Sequence, residues 1–255
     1  MAKEKLTNEE ATKLGLLLIE NILHNKSIQE MEVLIEKGAN LDVVNSNGLT
    51  SLMYATRDNK FDRVELLLRN KADINIKGRN DVTALYIACQ FGLSNMAKYL
   101  IEKEAIVTSS CMDWACFHVT NTFLVTEEID MTEVIKLLIE NGISVNRQNE
   151  IGWTPLFYAS VKGDIKLFNT LIELKADPNI KDKNDRAPVF FALDNNHIDL
   201  AKLLLKHGAN RNNNLSDIET LLNIVEEKIL EINDKLSDLD IKLSGEENVP
   251  DFIIS

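Results

Sequence analysis

Apolar residues along this chain arrive in short bursts at helical spacing: VELLL (Val64–Leu68), AKYLI (Ala97–Ile101), VIKLLI (Val134–Ile139) and LAKLLL (Leu200–Leu205). A second phrase precedes most of them, as TSLMYA (Thr50–Ala55), TALYIA (Thr83–Ala88), WTPLFYA (Trp153–Ala159) and APVFFA (Ala187–Ala192). The pattern predicts two short amphipathic helices per unit joined by a tight turn, where Gly92 and Gly163 fall. Ala55 and Ala88 are 33 residues apart, as are Ala159 and Ala192. Each unit closes on a third phrase, such as KADIN from Lys71 or KADPN from Lys175.

The predicted ends of the second helices are Gly38, Lys71, Glu104, Gly142, Lys175 and Gly208, at intervals of 33, 33, 38, 33 and 33, so six units are expected. The first, within residues 1–45, lacks the opening phrase but carries two capping boxes, Thr7-x-x-Glu10 and Ser27-x-x-Glu30. A degenerate end unit suits an array whose terminal faces meet water. Units two to six span 46–212. The fourth, 108–146, is irregular: its alanine, Ala115, comes 27 residues after Ala88 and 44 before Ala159. About six residues are missing before its first helix and about eleven are added after it, near 119–129. The loss should shorten a turn that otherwise projects as a hairpin. The addition should lengthen the first helix or form a loop, with a fresh helix start at Asp130-x-x-Glu133. Phe123, Leu124 and Val125 in the addition either meet a partner or fold back over their own unit.

WTPLFYASVKGDIKLFNTLIELKADPN (Trp153–Asn179) resembles the ankyrin-repeat unit nearly throughout, including the Thr-Pro-Leu opening of the first helix. Other units depart from it mildly: Ser51 and Ala84 stand for the proline, and Met53, Tyr86, Phe157 and Phe190 for the histidine. The resemblance covers roughly residues 28–212 and implies an all-α solenoid, a stack of helix pairs with short β-hairpin turns. It also implies protein binding along a concave face, through hairpin tips and exposed parts of the first helices. Carried over position by position, the tips offer Leu49, Val82, Trp153 and Arg186. The ends of the first helices offer Arg57, Asp58, Gln90, Phe91, Phe117 and Lys162. Just before each alanine stand Tyr54, Ile87, Trp114, Tyr158 and Phe191, of which Trp114 and Tyr158 join the candidate contacts. For this series packing between neighbouring first helices is the competing reading, and the stronger one.

After Asn212 the period changes. Residues 213–244 read as a long helix, before a tail at 245–255. Ile218, Leu222, Val225, Ile229, Ile232, Leu236, Leu239 and Leu243 alternate four and three apart, the seam of a coiled coil. Lys228, Lys235 and Lys242 flank one side, and Glu226, Asn233 and Asp240 the other, an arrangement that favours parallel self-association through residues 217–244. A helix folded back on the array is the other reading.

Charge narrows the partners. The net of −12 is concentrated at 216–255, where eleven acids face three lysines. Neither part offers the basic field that nucleic acid or an anionic membrane needs. No apolar run approaches the length of a bilayer span, and MAKEKLTNEE has no secretory character. Three cysteines fit a reducing, cytoplasmic setting better than a disulfide scaffold. Cys111, Cys116 and His118 lack the fourth ligand of a closed zinc site, and His24, His197 and His207 lie in different units. No phosphate loop, HExxH or nucleophile triad is present, so neither cofactor nor catalysis is expected. The sequence thus describes a non-enzymatic protein-binding adaptor. Two alternatives stand: an effector or inhibitor sequestering a target, and a structural protein assembling through its C-terminal helix.

Overall fold

A computed structural model describes the backbone of residues 6–120 and 131–210, with side chains over 6–116 and 131–210. The side chain of Phe117, the insertion near 119–129 and the heptad at 217–244, with Val225, Ile229, Ile232, Leu236, Leu239 and Leu243, lie outside the described residues.

The described residues form twelve α-helices in six pairs: α1 (Asn8–Leu23) with α2 (Ile28–Glu36), α3 (Ser51–Arg57) with α4 (Phe61–Arg69), and α5 (Ala84–Gln90) with α6 (Ser94–Glu102). They continue with α7 (Ser109–Thr120) and α8 (Thr132–Glu140), α9 (Pro155–Lys162) and α10 (Ile165–Glu173), then α11 (Pro188–Asp194) and α12 (Ile198–Lys206). The first helices pack in one row, α1 on α3, α3 on α5, and so on to α11. Second helices back them, and α8 packs between α6 and α10. This is an all-α solenoid. Among the described residues the hairpins are turns, with no strand assigned.

Local chemistry sets the helix starts. Thr7 and Ser27 close the two capping boxes of the first pair. Thr50 and Thr83 cap α3 and α5 through the amides of Met53 and Tyr86. Pro155 and Pro188 occupy first-turn positions, where a missing N–H costs nothing. The alanines stack against neighbouring helices at zero exposure (Ala55, Ala88, Ala115, Ala159, Ala192), which is why this position tolerates no larger residue. Beside them run Val64, Leu67, Met96, Leu100, Val134, Leu138, Leu167, Leu171, Leu200 and Leu204, a continuous interior that no single pair could bury alone.

Junctions between repeats are tied by polar side chains. At four junctions the loop after a second helix accepts an amide from the next loop: Asp42 from Asp73 (2.8 Å), Asn75 from Ile106 (2.8 Å), Asn146 from Asp177 (2.9 Å) and Asn179 from Asn210 (2.6 Å). The N-terminal pair is strapped on by Arg63 of α4. This side chain is 6% exposed and donates to the carbonyls of Ile22 (3.2 Å) and Lys26 (2.9 Å) and to Asn25 Oδ1 (2.7 Å). Gly15 lets α1 come close, since a Cβ there would lie 2.2 Å from the Asn40 carbonyl.

The fourth repeat differs from the others in its spacing. Residues 70–83 separate α4 from α5, but only 103–108 separate α6 from α7, so the projecting turn is missing. α7 runs for 12 residues against 7 or 8 in α3, α5, α9 and α11. α8 begins at Thr132, with Met131 rather than Asp130 at the cap position and no side-chain cap bond.

Candidate protein-binding surface

Three of the tips are built around one residue five before the Thr or Ala at the N-cap of the first helix. Asn45 Oδ1 accepts the amides of Asn47 (3.1 Å) and Leu49 (3.2 Å), and Asn149 Oδ1 those of Ile151 (3.1 Å) and Trp153 (2.9 Å). Asp182 does the same for Asn184 and Arg186, both at 2.9 Å. Such side-chain-to-backbone bonds replace the missing strand ladder and fix the turn. The third repeat has Gly78 in this register and keeps only the backbone bond common to these tips, its amide on the Val82 carbonyl (2.8 Å), as Asn45 has on Leu49 (3.1 Å), Asn149 on Trp153 (2.9 Å) and Asp182 on Arg186 (2.8 Å).

The tips also grip the helices beneath. Asn45 Nδ2 donates to the Tyr54 hydroxyl (3.1 Å), and Asn149 Nδ2 to the Tyr158 hydroxyl (2.7 Å). Tyr158 is 8% exposed, and burial first, then the nearby Cys116, pushes its hydroxyl up to about 12. In the last repeat Arg186 takes over. Its guanidinium bonds Asp182 Oδ2 at 2.8 and 3.0 Å and lies 4.6 Å above the Phe191 ring. Burial opposes ionisation of Asp182, yet the bonds from Arg186 and Asn184 outweigh it and hold the carboxyl below its ordinary value.

Tyr54, Ile87, Tyr158 and Phe191 are therefore buried supports, while Trp114 is half-buried with its ring 5.8 Å from Tyr86, edge to face. Trp153 is half-buried at the tip, in ring contact with Phe157 (5.8 Å), Tyr158 (5.3 Å) and Phe191 (5.0 Å). Leu49, Val82 and Arg186 sit half-buried on their own tips. At the far ends of the first helices Phe91 is 40% exposed, Gln90 and Lys162 are half-buried, and Arg57 pairs with Asp58 at 2.8 Å while lying 4.8 Å over the Tyr54 ring. The accessible candidates thus divide between the tips and the far ends of the first helices.

The cysteines are free and buried. Counting from the alanines pairs Cys89 with Cys116, but the thiol that meets Cys89 is Cys111, five residues earlier in α7. The bond from Cys89, helped by the Thr108 hydroxyl at 3.5 Å and opposed by burial, lowers Cys111 to about 6. The partnership with Cys111 and burial push Cys89 up, and burial pushes Cys116 up. Among the described residues no group of three or more His, Cys, Asp or Glu is placed to hold a metal ion. An open hollow of about 550 Å³ between α10 and α12 is lined by His197, Asp199 and Lys202, but His197 Nε2 lies 3.0 Å from the Val161 carbonyl. No helix among the described residues is long and apolar enough to cross a membrane.

The family model for ankyrin repeats in three copies matches residues 18–111 and 123–217, well over half the chain. Among curated proteins, the chain is 29% identical over 121 residues to the ankyrin repeat protein nuc-2 of Neurospora crassa, a match covering 47% of this chain and 11% of that protein. It is 42% identical over 79 residues to a probable 26S proteasome regulatory subunit, p28, of Saccharomyces cerevisiae, covering 30% of this chain and 35% of that one. The matched stretch is thus a small part of these relatives. Among solved structures, the human ASB11 ankyrin repeat domain superposes with TM-score 0.63 at 22% identity, over 76% of this chain and 85% of that one. A chain in the structure of a predatory endopeptidase from Bdellovibrio bacteriovorus in complex with an immunity protein gives TM-score 0.62 at 23% identity, over 74% of this chain and 96% of that one.

Proposed function

This chain belongs to the ankyrin-repeat family, whose arrays are protein-interaction scaffolds, and from that premise we propose that it is a non-enzymatic adaptor. It holds a partner protein against the tips and the exposed side of its first helices. The observation that carries this is the division of labour along that side. Asn45, Asn149, Asp182 and the buried aromatic rings are used up in fixing the tips. Leu49, Val82, Phe91, Trp153 and Arg186 are left on a rigid frame with part of their surface free. Half-buried aromatic and arginine side chains on a fixed backbone make effective contacts, because little side-chain entropy remains to be lost on binding. A cytoplasmic setting is part of the proposal, supported by the odd cysteine count.

Affinity purification with mass spectrometry tests it, comparing wild type with Phe91→Ala, Trp153→Ala and a chain ending at residue 214. An adaptor loses specific prey with the first two changes and keeps it when the C-terminal segment is removed. If shortening the chain abolishes all association while the surface changes do nothing, assembly through residues 217–244 is the function instead. The inhibitor reading draws on the likeness to the endopeptidase–immunity complex. It requires in addition that the captured prey be an enzyme whose activity falls on binding.

A further inference from the structure

Neighbouring tips in this array are joined to one another. The Arg79 amide of the third repeat donates to the Gly48 carbonyl of the second (3.0 Å), and the Arg79 guanidinium reaches the Ser46 carbonyl (3.0 Å). Between the fifth and sixth repeats the Lys183 amide donates to the Ile151 carbonyl (3.2 Å), and Gln148 Nε2 to the Lys181 carbonyl (2.9 Å). The donor residues occupy one register position: Arg79 and Lys183 correspond to Glu150 in the fifth repeat. The acceptors Gly48 and Ile151 correspond to Asp81 and Asn80 in the third.

The fourth repeat has no tip. α7 nevertheless packs between α5 and α9, so the tips of the third and fifth repeats are separated by one tipless repeat, with no tip between them among the described residues. Among the described residues the Asn80 and Asp81 carbonyls and the Glu150 amide make no hydrogen bond, and all three residues are exposed. An acceptor edge and a donor edge thus face a common notch. Its floor is the start of α7, with Ser109 and Ser110 exposed and the Tyr86–Trp114 edge-to-face pair half-buried. Arg147 closes one wall through its pair with Asp113 at 3.1 Å.

We propose that this notch receives a tight turn of the partner protein, which takes the place of the missing fourth tip. The inference rests on the protein-binding reading and names the shape of the partner's contact. The chemistry required is that of the chain's own tips: a turn of about five residues, closed on itself, presenting one backbone N–H to Asn80 or Asp81 and one carbonyl to Glu150. The body of a helix has its backbone groups already satisfied, and a helix end offers only donors or only acceptors, so neither supplies the pair this notch asks for. Two backbone bonds across a rigid slot confer shape selectivity, and the turn's own side chains are then free to meet Trp114 and Val82.

The probe is a cyclised peptide with the sequence of residues 144–154, observed by amide chemical shifts on the full chain. Wild type is expected to shift at Asn80, Asp81, Ser109, Ser110 and Glu150, whereas the same peptide in linear, scrambled form causes no such shifts. Glu150 is the second residue of a turn closed by the Gly152 amide on the Asn149 carbonyl (3.0 Å), a position proline favours. Glu150→Pro therefore deletes the donor and keeps the turn. It should weaken the peptide at least tenfold, while Glu150→Ala, which keeps the amide, leaves binding within twofold. A second variant copies residues 75–82 between Val107 and Thr108, rebuilding the fourth tip, and should lose the peptide altogether. Equal binding by wild type and the rebuilt chain, or equal loss with proline and alanine, overturns the proposal. Prey that is lost with Phe91→Ala but survives in the rebuilt chain leaves the adaptor reading intact and removes only the notch.

Discussion

Arg63→Ala should unfasten the N-terminal repeat without unfolding the rest. Every other repeat from the third onward has an apolar residue at this place in its second helix, Met96, Val134, Leu167 and Leu200, all buried. Arg63 is equally buried but spends its guanidinium on Ile22, Asn25 and Lys26. Bonds from a charged donor are worth about 1.5–3 kcal/mol each, before non-additivity. The acceptors are not all orphaned by the change: the Ile22 carbonyl keeps the Asn25 amide at 3.0 Å, and Asn25 and Lys26 are exposed enough to take up water. A net loss of about 3–4 kcal/mol at the α1–α2 junction follows. Stability in a linear array is a sum of local and nearest-neighbour contributions, so the loss should stay local. Amide hydrogen exchange reads this directly: protection in α1 and α2 falls by two or more orders of magnitude, while α9–α12 keep theirs. Arg63→Lys, a point charge with no fork, should recover only part. Uniform loss across all six repeats, or no loss in α1 and α2, would refute the strap.

Three further outcomes are expected. Thr56 is fully buried and its hydroxyl has no partner, so Thr56→Val should raise stability by about 1 kcal/mol in a urea melt; a decrease would mean the hydroxyl is bonded. Gly163 has φ +72° and a Cβ there would lie 2.5 Å from His197 Nδ1, so Gly163→Ala should cost about 2 kcal/mol or more and loosen the contact between the end of α9 and the start of α12, seen as a lower melting temperature. Cys111 ionises near pH 6 because Cys89 bonds it, so Cys89→Ala should move its thiolate titration up toward the ordinary thiol value of about 8.5. Because the folded-state value is the lower one, this group's contribution is complete above the ordinary value and is lost as pH falls through about 6. The opposite shift at Cys89 acts only above the ordinary thiol range. Wild type should therefore lose stability relative to the variant as pH falls across that window, measured by denaturant melts at each pH.

Repetition made the fold legible. Ala55, Ala88, Ala159 and Ala192 announce the period, and because each repeats the same packing problem they also locate Ala115 in a unit with a shifted length. The missing turn before α7 could be counted for the same reason. Interactions that differ between units were harder to read. The Asn45–Tyr54 and Asn149–Tyr158 pairs are nine residues apart in both repeats, a visible recurrence, but nothing in the composition says that the amide reaches the ring hydroxyl. Arg63 carried a signal, a charge in register with four apolar residues, although its acceptors 37 to 41 residues upstream could not be inferred from it. The Cys89–Cys111 contact was hidden because counting from the alanine pairs like with like, whereas Cys89, just after its alanine, meets the residue four before the next one. Of the candidate surface, the tip positions were legible as a row; how deeply each side chain sits depends on neighbours such as Phe157 and Phe191 around Trp153.

The most direct test of the binding account is a footprint of a purified bound partner, by amide hydrogen exchange of this chain alone and in complex. Added protection is expected at residues 45–58, 78–91 and 149–162, with α4, α6, α10 and α12 unchanged. Protection confined to those second helices, or to none of the repeats, would contradict it.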